Sequence, residues 1–384
     1  MLSGRYHWLV SCYHFPQSLT KALGCMHIRR SRQSIPMMST HTSTGPPNKS
    51  GVPHKIRTSA EPRQNALYPV RLSHIELVNP TIRLLRFTVP PQNIDNSNNH
   101  GSIPSIPSKL FTFLPGQWLD MHIPTLRDAG GFTITSTPRE ASPESSSEPY
   151  IELAVQAFPS NPAAAWLWRP ENEVLGAEVQ VRVGGSFIWP PPTAESGIPL
   201  AEIRKIIFVA GGVGINPLMS MISHIHNTRS GLHPSTEVHL LYATRIPSAS
   251  TVSSNSGTSK AQNLLNQILF LPRLREIVHV EQKQQQEQKT GVCFQPLDVR
   301  LYLTNLSSHR GTSAGELEAE LRGDISVYNR RIIAADLQDL IGSNRVERAK
   351  TICNVCGPPR MTDEFVEVLK EIVGDRRVFY EKWW

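Results

Sequence analysis

The strongest constraint on the fold lies between Ile206 and Pro217. Ile206-Ile207-Phe208-Val209-Ala210 is an unbroken apolar run, Gly211-Gly212-Val213-Gly214 follows at once, and Ile215-Asn216-Pro217 opens an amphipathic segment that reaches Asn227. A strand that is apolar at every position has to be covered on both faces, which points to a parallel sheet wrapped by helices. A second apolar strand, Glu237–Tyr242, completes a βαβ unit. Glycines between strand and helix permit positive φ and close backbone approach, so the loop amides can face a phosphate. Asn216 suits the N-cap and Pro217 the first helical position, which aims the positive end of the helix at the loop. An ordinary tight βα turn would use the same residues. The chain closes with a strand at 351–356, a helix near 362–373 and a short strand at 377–380. Between the first two stands Cys356-Gly357-Pro358-Pro359-Arg360-Met361. Ligands gather at the carboxyl ends of parallel strands, so this loop and the glycine loop are expected to face one another across a crevice.

Before residue 188 the pattern is different. Val179, Val181 and Val183 alternate with Gln180 and Arg182, and similar runs occur at 71–78, 81–89, 117–123, 132–136 and 150–157. About six short strands at this spacing predict a small antiparallel barrel or sandwich. Gly130-Gly131-Phe132-Thr133-Ile134-Thr135-Ser136-Thr137-Pro138 belongs to it, with Thr133 and Thr135 on one face and Phe132, Ile134 and Ser136 on the other. A row of hydroxyls at a domain seam can hydrogen-bond a ring cofactor; by β propensity alone it is a Thr-rich strand. The polar stretches 92–108 and 139–148 read as solvated loops, and 246–262 and 282–330 as surface insertions. The expected organisation is an arm over 1–64, a β domain over 65–192 and an α/β domain over 200–384.

Charge is unevenly spread. Residues 1–60 hold eight cations and no acid, which leaves 31 Lys and Arg against 32 Asp and Glu elsewhere. The body is therefore near neutral, and nucleic-acid binding is not expected. The arm mixes Arg with Ser, Thr and apolar residues and has no continuous apolar core, the composition of a mitochondrial transit peptide rather than a secretory signal; a tail without an address would share it. No stretch approaches a membrane span. Five cysteines in 384 residues make no disulfide framework. Cys353 and Cys356 fall three apart on a strand, hence on opposite faces, so neither zinc nor a dithiol is favoured.

The order of the motifs resembles a known family. Pro115-Gly116-Gln117, then Phe132-Thr133-Ile134-Thr135-Ser136-Thr137-Pro138, then the 211–217 loop, then Cys356–Met361, then the terminal Tyr380-Glu381-Lys382-Trp383-Trp384 are similar to the ferredoxin–NADP reductase superfamily, and within it to the oxidoreductase NAD-binding domain-containing group. The resemblance spans roughly residues 68–384 apart from the insertions. It implies a six-stranded antiparallel flavin barrel followed by a nucleotide-binding α/β domain, and a reductase passing hydride from NADH or NADPH to FAD or FMN and electrons to a separate acceptor. Carried over, Thr133 matches the hydroxyl that bonds flavin N5 and Phe132 the aromatic beside the ring, with Ile134 and Ser136 in the same element. Gly211, Gly212, Val213, Gly214, Ile215, Asn216 and Pro217 match the nucleotide loop. Cys356, Gly357 and Pro358 match the segment near the nicotinamide, and Trp383 or Trp384 the aromatic against the flavin. Three features depart from the family, one of them Phe132 where many members have Tyr. Gly130 stands where many members have an Arg that neutralises flavin phosphate, and Asn161-Pro162-Ala163-Ala164 replaces a Gly and Ser/Thr helix start, where Asn161 can still cap free amides. A non-catalytic NAD(P)-binding sensor or assembly protein that has lost flavin is the alternative reading.

Overall fold

The computed structural model describes residues 53–90, 110–144, 148–247, 259–287, 294–306, 313–321 and 323–382. The expected transit peptide up to residue 52, most of the 246–262 stretch, and Trp383 and Trp384 lie outside the described residues.

Six antiparallel strands form the first sheet: β1 (Tyr68–Asn79), β2 (Ile82–Thr88), β3 (Trp118–His122), β4 (Gly130–Thr133), β5 (Tyr150–Gln156) and β6 (Glu178–Gly184). Their order is β4-β3-β6-β1-β2-β5. The sheet closes on itself through a bridge between Ile134 and Leu153 and a bond from Thr135 N to Glu152 O. Alternation decides what fills the barrel. Val179, Val181 and Val183 of β6 point inward with Leu72, Phe87, Leu119, Phe132 and Ile134. At about 1.5–3 kcal/mol for each fully buried side chain, this interior is the main stabilising term of the domain. The helix Pro162–Leu167 covers its end with Ala163, Ala164 and Leu167.

The arm does not run to residue 64 as an unstructured tail. A single helical turn, His54–Arg57, packs on the outside of β4, and Arg63 pairs with Gly184 at the end of β6. Asp120 explains why. This carboxylate is 0 % exposed on β3 and receives Arg63 Nε at 2.9 Å, Arg182 Nη2 at 2.7 Å and the His54 ring at 3.4 Å. A buried charge needs such partners, and two of the three come from the arm.

The second sheet is wholly parallel: β7 (Lys205–Gly211), β8 (Glu237–Thr244), β9 (Asp298–Leu303), β10 (Ile325–Tyr328), β11 (Thr351–Gly357) and β12 (Val378–Lys382), in the order β10-β9-β8-β7-β11-β12. Ile206, Phe208 and Ala210 enter the core under the helix Ile215–Thr228, whereas Ile207 and Val209 enter the core under the helices Ala334–Ile341 and Pro359–Val373. Cys353 and Cys356 fall into these two opposite cores, and neither is in a disulfide. The expectation that 282–330 is a surface insertion is wrong. It holds β9 and β10, and Val299 and Leu301 are core residues.

Four side chains tie barrel to sheet. Asn216 Nδ2 donates to Ala154 O at 3.0 Å, Ser220 Oγ to Ser136 O at 2.7 Å, Asn79 Nδ2 to Gln267 O at 2.9 Å, and Arg273 Nη2 meets the buried Glu152 carboxylate at 2.7 Å.

Candidate functional site

The strand order of the second sheet reverses between β7 and β11, the position where open α/β sheets bind ligands. A cavity of about 780 Å³ lies there, within the size range of nucleotide sites. Gly211, Gly212, Val213 and Gly214 line one side, Gly357, Pro358 and Pro359 the next, and Asn79–Ile82 with Gln156 close it from the barrel. The crevice expected between the two loops is present. Gly212 has φ +56°, and a Cβ there would meet nothing within 4 Å, so its backbone faces open space. Gly214 is fixed by closeness instead, because a Cβ would lie 2.4 Å from Cys356 O.

Asn216 is not the N-cap. A 3-10 turn over Gly212–Gly214 starts the helix early, Gly214 takes the cap position, and no side chain caps it. The Ile215 N–H is already bonded to Gly212 O and Val213 O, so the amides open to a ligand or water are those of the 3-10 turn itself. Asn216 spends its amide on the barrel, and Ile215 and Pro217 are buried beneath the loop rather than lining the cavity. Cys356 is 0 % exposed; its backbone supports Gly214, while Gly357 and Pro358 supply the cavity wall.

On the barrel side, Thr133 pairs across from Trp118, is 3 % exposed, and its hydroxyl has no hydrogen-bond partner. Phe132 and Ile134 are in the barrel core. Ser136 is committed to the fold, its hydroxyl accepting from Glu152 N at 3.0 Å. Asn161 caps its helix as expected, accepting from Ala163 N and Ala164 N, so those amides are not free. A larger side chain at Gly130 is blocked, because a Cβ would lie 2.4 Å from Ala163 Cβ. Trp384 lies outside the described residues.

A second pocket, of about 260 Å³, opens between the His54–Arg57 turn, Trp118 and Tyr380–Lys382 of β12. Glu381 and Lys382 pair with Cys356 and Gly357, which puts this pocket at the same edge of the sheet as the nucleotide cavity. Sequence reasoning missed it, since His54 and Arg57 carry no motif and sit in an arm whose charge reads as an address. It also missed Asn79, Gln156 and Gln267 at the cavity, which come from three separate elements.

The glycine loops give the large cavity an open backbone surface, Arg57 and Trp118 give the second pocket polar groups, and Thr133, paired with Trp118, has a buried hydroxyl with no partner among the described residues; together they fit a flavin beside a nucleotide. They do so without the usual cation on β4.

No protein-family model matches the chain. Oxidoreductase NAD-binding domain-containing protein 1 of Bos taurus is 30% identical over 286 residues, covering 73% of this chain and 74% of that protein. Among solved structures, the CS-b5R domains of human Ncb5or (NAD+ form) superpose with a TM-score of 0.52 at 15% identity, over 82% of this chain and 69% of that one. A ferredoxin NADP+ reductase from Neisseria gonorrhoeae with bound FAD and NADP gives a TM-score of 0.50 at 11% identity, over 83% of this chain and 99% of that one. The fold is that of a flavin barrel joined to a nicotinamide-nucleotide domain.

Proposed function

Since the chain belongs to the oxidoreductase NAD-binding domain-containing protein 1 family, we propose that it is a flavin-dependent NAD(P)H reductase serving a separate electron acceptor. The observation that carries this reading is that the cavity between the two glycine loops is walled on its far side by the barrel. A nucleotide bound there would touch both domains. Bound flavin supplies a hydride acceptor, and that redox chemistry is the cofactor's own.

The chain's part is binding, orientation and exclusion of water. The backbone of the Gly212–Gly214 turn that leads into the Ile215–Thr228 helix takes the pyrophosphate. Thr133 offers its hydroxyl to a ring nitrogen. Gly357 and Pro358 bring the nicotinamide end beside β12. Cys356 acts through its backbone rather than its thiol. The four bonds across the seam hold the two halves at a fixed separation, on which near-attack geometry depends. We take the flavin to be FAD, as in the gonococcal reductase structure. Arg245 is the one charged side chain lining the cavity, and no carboxylate among the described residues lines it. That favours the 2′-phosphate of NADPH over the bare ribose of NADH.

Purified protein, reconstituted with FAD where necessary, is expected to show a bound-flavin spectrum that bleaches on anaerobic addition of NADPH. Failure to bind either FAD or FMN at tens of micromolar would leave a nucleotide-sensing protein as the better description. We further propose mitochondrial import through the arm. A reporter carrying residues 1–52 should enter mitochondria; a diffuse cytosolic signal would refute the address.

A further inference from the structure

In the pocket beside Trp118, one cation has no carboxylate partner among the described residues. Arg57 lines it, its Nε is buried without a hydrogen-bond partner, and burial alone accounts for the lowering of its pKa, with no carboxylate contributing. The neighbouring charges are occupied. His54 faces Asp120, Lys382 pairs with Asp363, Glu61 accepts from Ser186 N and Oγ, and Glu381 has an interaction of its own. Two more buried polar atoms without partners among the described residues belong to neighbours: Nε1 of Trp118, a residue that lines the same pocket, and the hydroxyl of Thr133, the residue paired with Trp118. Arg57 as a whole is partly buried, and an electron-rich group entering beside its buried Nε would satisfy a donor that is otherwise unmet.

The barrel strand cannot meet that need at Gly130, where Ala163 occupies the space of any side chain. At about 260 Å³ the pocket is too small for a whole dinucleotide and suits one part of it. We propose that Arg57 is the cation that anchors the flavin, through an oxygen of its phosphate or of its ring, so that the segment preceding the barrel completes the cofactor site. This deepens the flavin reading above and rests on it.

Flavin fluorescence titration of the full chain tests the proposal without reference to turnover. Arg57→Gln is expected to weaken FMN and FAD binding roughly tenfold to hundredfold, the effect of losing one charged hydrogen bond. Lys55→Gln removes the same charge from an exposed position on the same turn and should change nothing. Riboflavin separates the two sources. A loss for FMN but not for riboflavin places Arg57 on the phosphate, and an equal loss for both places it on the ring. Arg57→Met keeps the apolar stem and replaces the Gln variant should that one unfold. Unchanged affinity for all three flavins in a folded Arg57 variant overturns the proposal. A wild-type chain that binds none of them overturns the flavin reading instead.

Discussion

The hydroxyl of Thr133 is buried and has no hydrogen-bond partner among the described residues. An unsatisfied buried hydroxyl costs about 1–3 kcal/mol. Thr133→Val, close to it in volume, should therefore raise the melting temperature of the cofactor-free protein while weakening flavin binding. Calorimetry with and without FAD reads both effects, and a loss of stability in both states would make the hydroxyl structural. Gly214→Ala meets the opposite constraint. Its Cβ would press on Cys356 O, forcing the two loops apart at about 1–3 kcal/mol. NADPH affinity should fall while barrel signals in circular dichroism persist; an unchanged titration would show that loop spacing does not govern binding. At this scale the sequence is legible where a residue answers to its chain neighbours. Asn161 reads as a cap and is one. Asn216 reads the same way, but its partner Ala154 lies on β5 of the other domain, and that competition is invisible along the chain.

Elements show through when one face meets solvent, which is why β1 and β6 announce themselves by alternation. Strand β9 does not, because Asp298 and Arg300 look like loop residues. In the fold Asp298 accepts from His239 of β8 at 2.9 Å and from Arg300 of its own strand at 3.2 Å, so its polar side chains pair with one another within the sheet. The segment before the barrel is hidden similarly, since its cations are legible only with Asp120 in view. Burial would raise the Asp120 pKa; hydrogen bonds from His54, Arg63 and Arg182 outweigh that and hold it well below the usual carboxylate range. A depressed folded pKa contributes stability that is complete above the unfolded value near 4 and lost as pH falls below it. Urea unfolding should therefore show this contribution constant from neutrality to about pH 4 and fading only in stronger acid. Asp120→Asn should remove about 3–5 kcal/mol already at neutral pH, the effect of breaking a buried ion pair from one side. Equal stability of the variant at pH 7 would mean that the arm is held by packing against Trp118 alone.

Across the whole molecule, the two-domain architecture and both ligand loops are readable from residue order, whereas the seam is not. Its bonds join residues far apart in sequence, and several use backbone carbonyls that carry no residue identity. A ligand held by both domains should stabilise them together. NADPH at a hundred times its Kd should add about 2.7 kcal/mol to unfolding as one transition. Arg245→Ala should lower that gain for NADPH and leave the gain for NADH intact, checked by thermal melts with each nucleotide; equal losses would remove the 2′-phosphate from the argument. The 260 Å³ pocket has a consequence of another kind. One wall is His54–Glu61 and the other Tyr380–Lys382, the earliest and latest parts of the described chain to emerge during synthesis. The barrel can close as soon as β6 is made, but β7 waits for β11, and the pocket for β12. A nascent chain halted before Val378 would own a finished barrel and no place for Arg57 to hold a ligand. If Arg57 holds the flavin as proposed, cofactor capture waits until translation has run past β12.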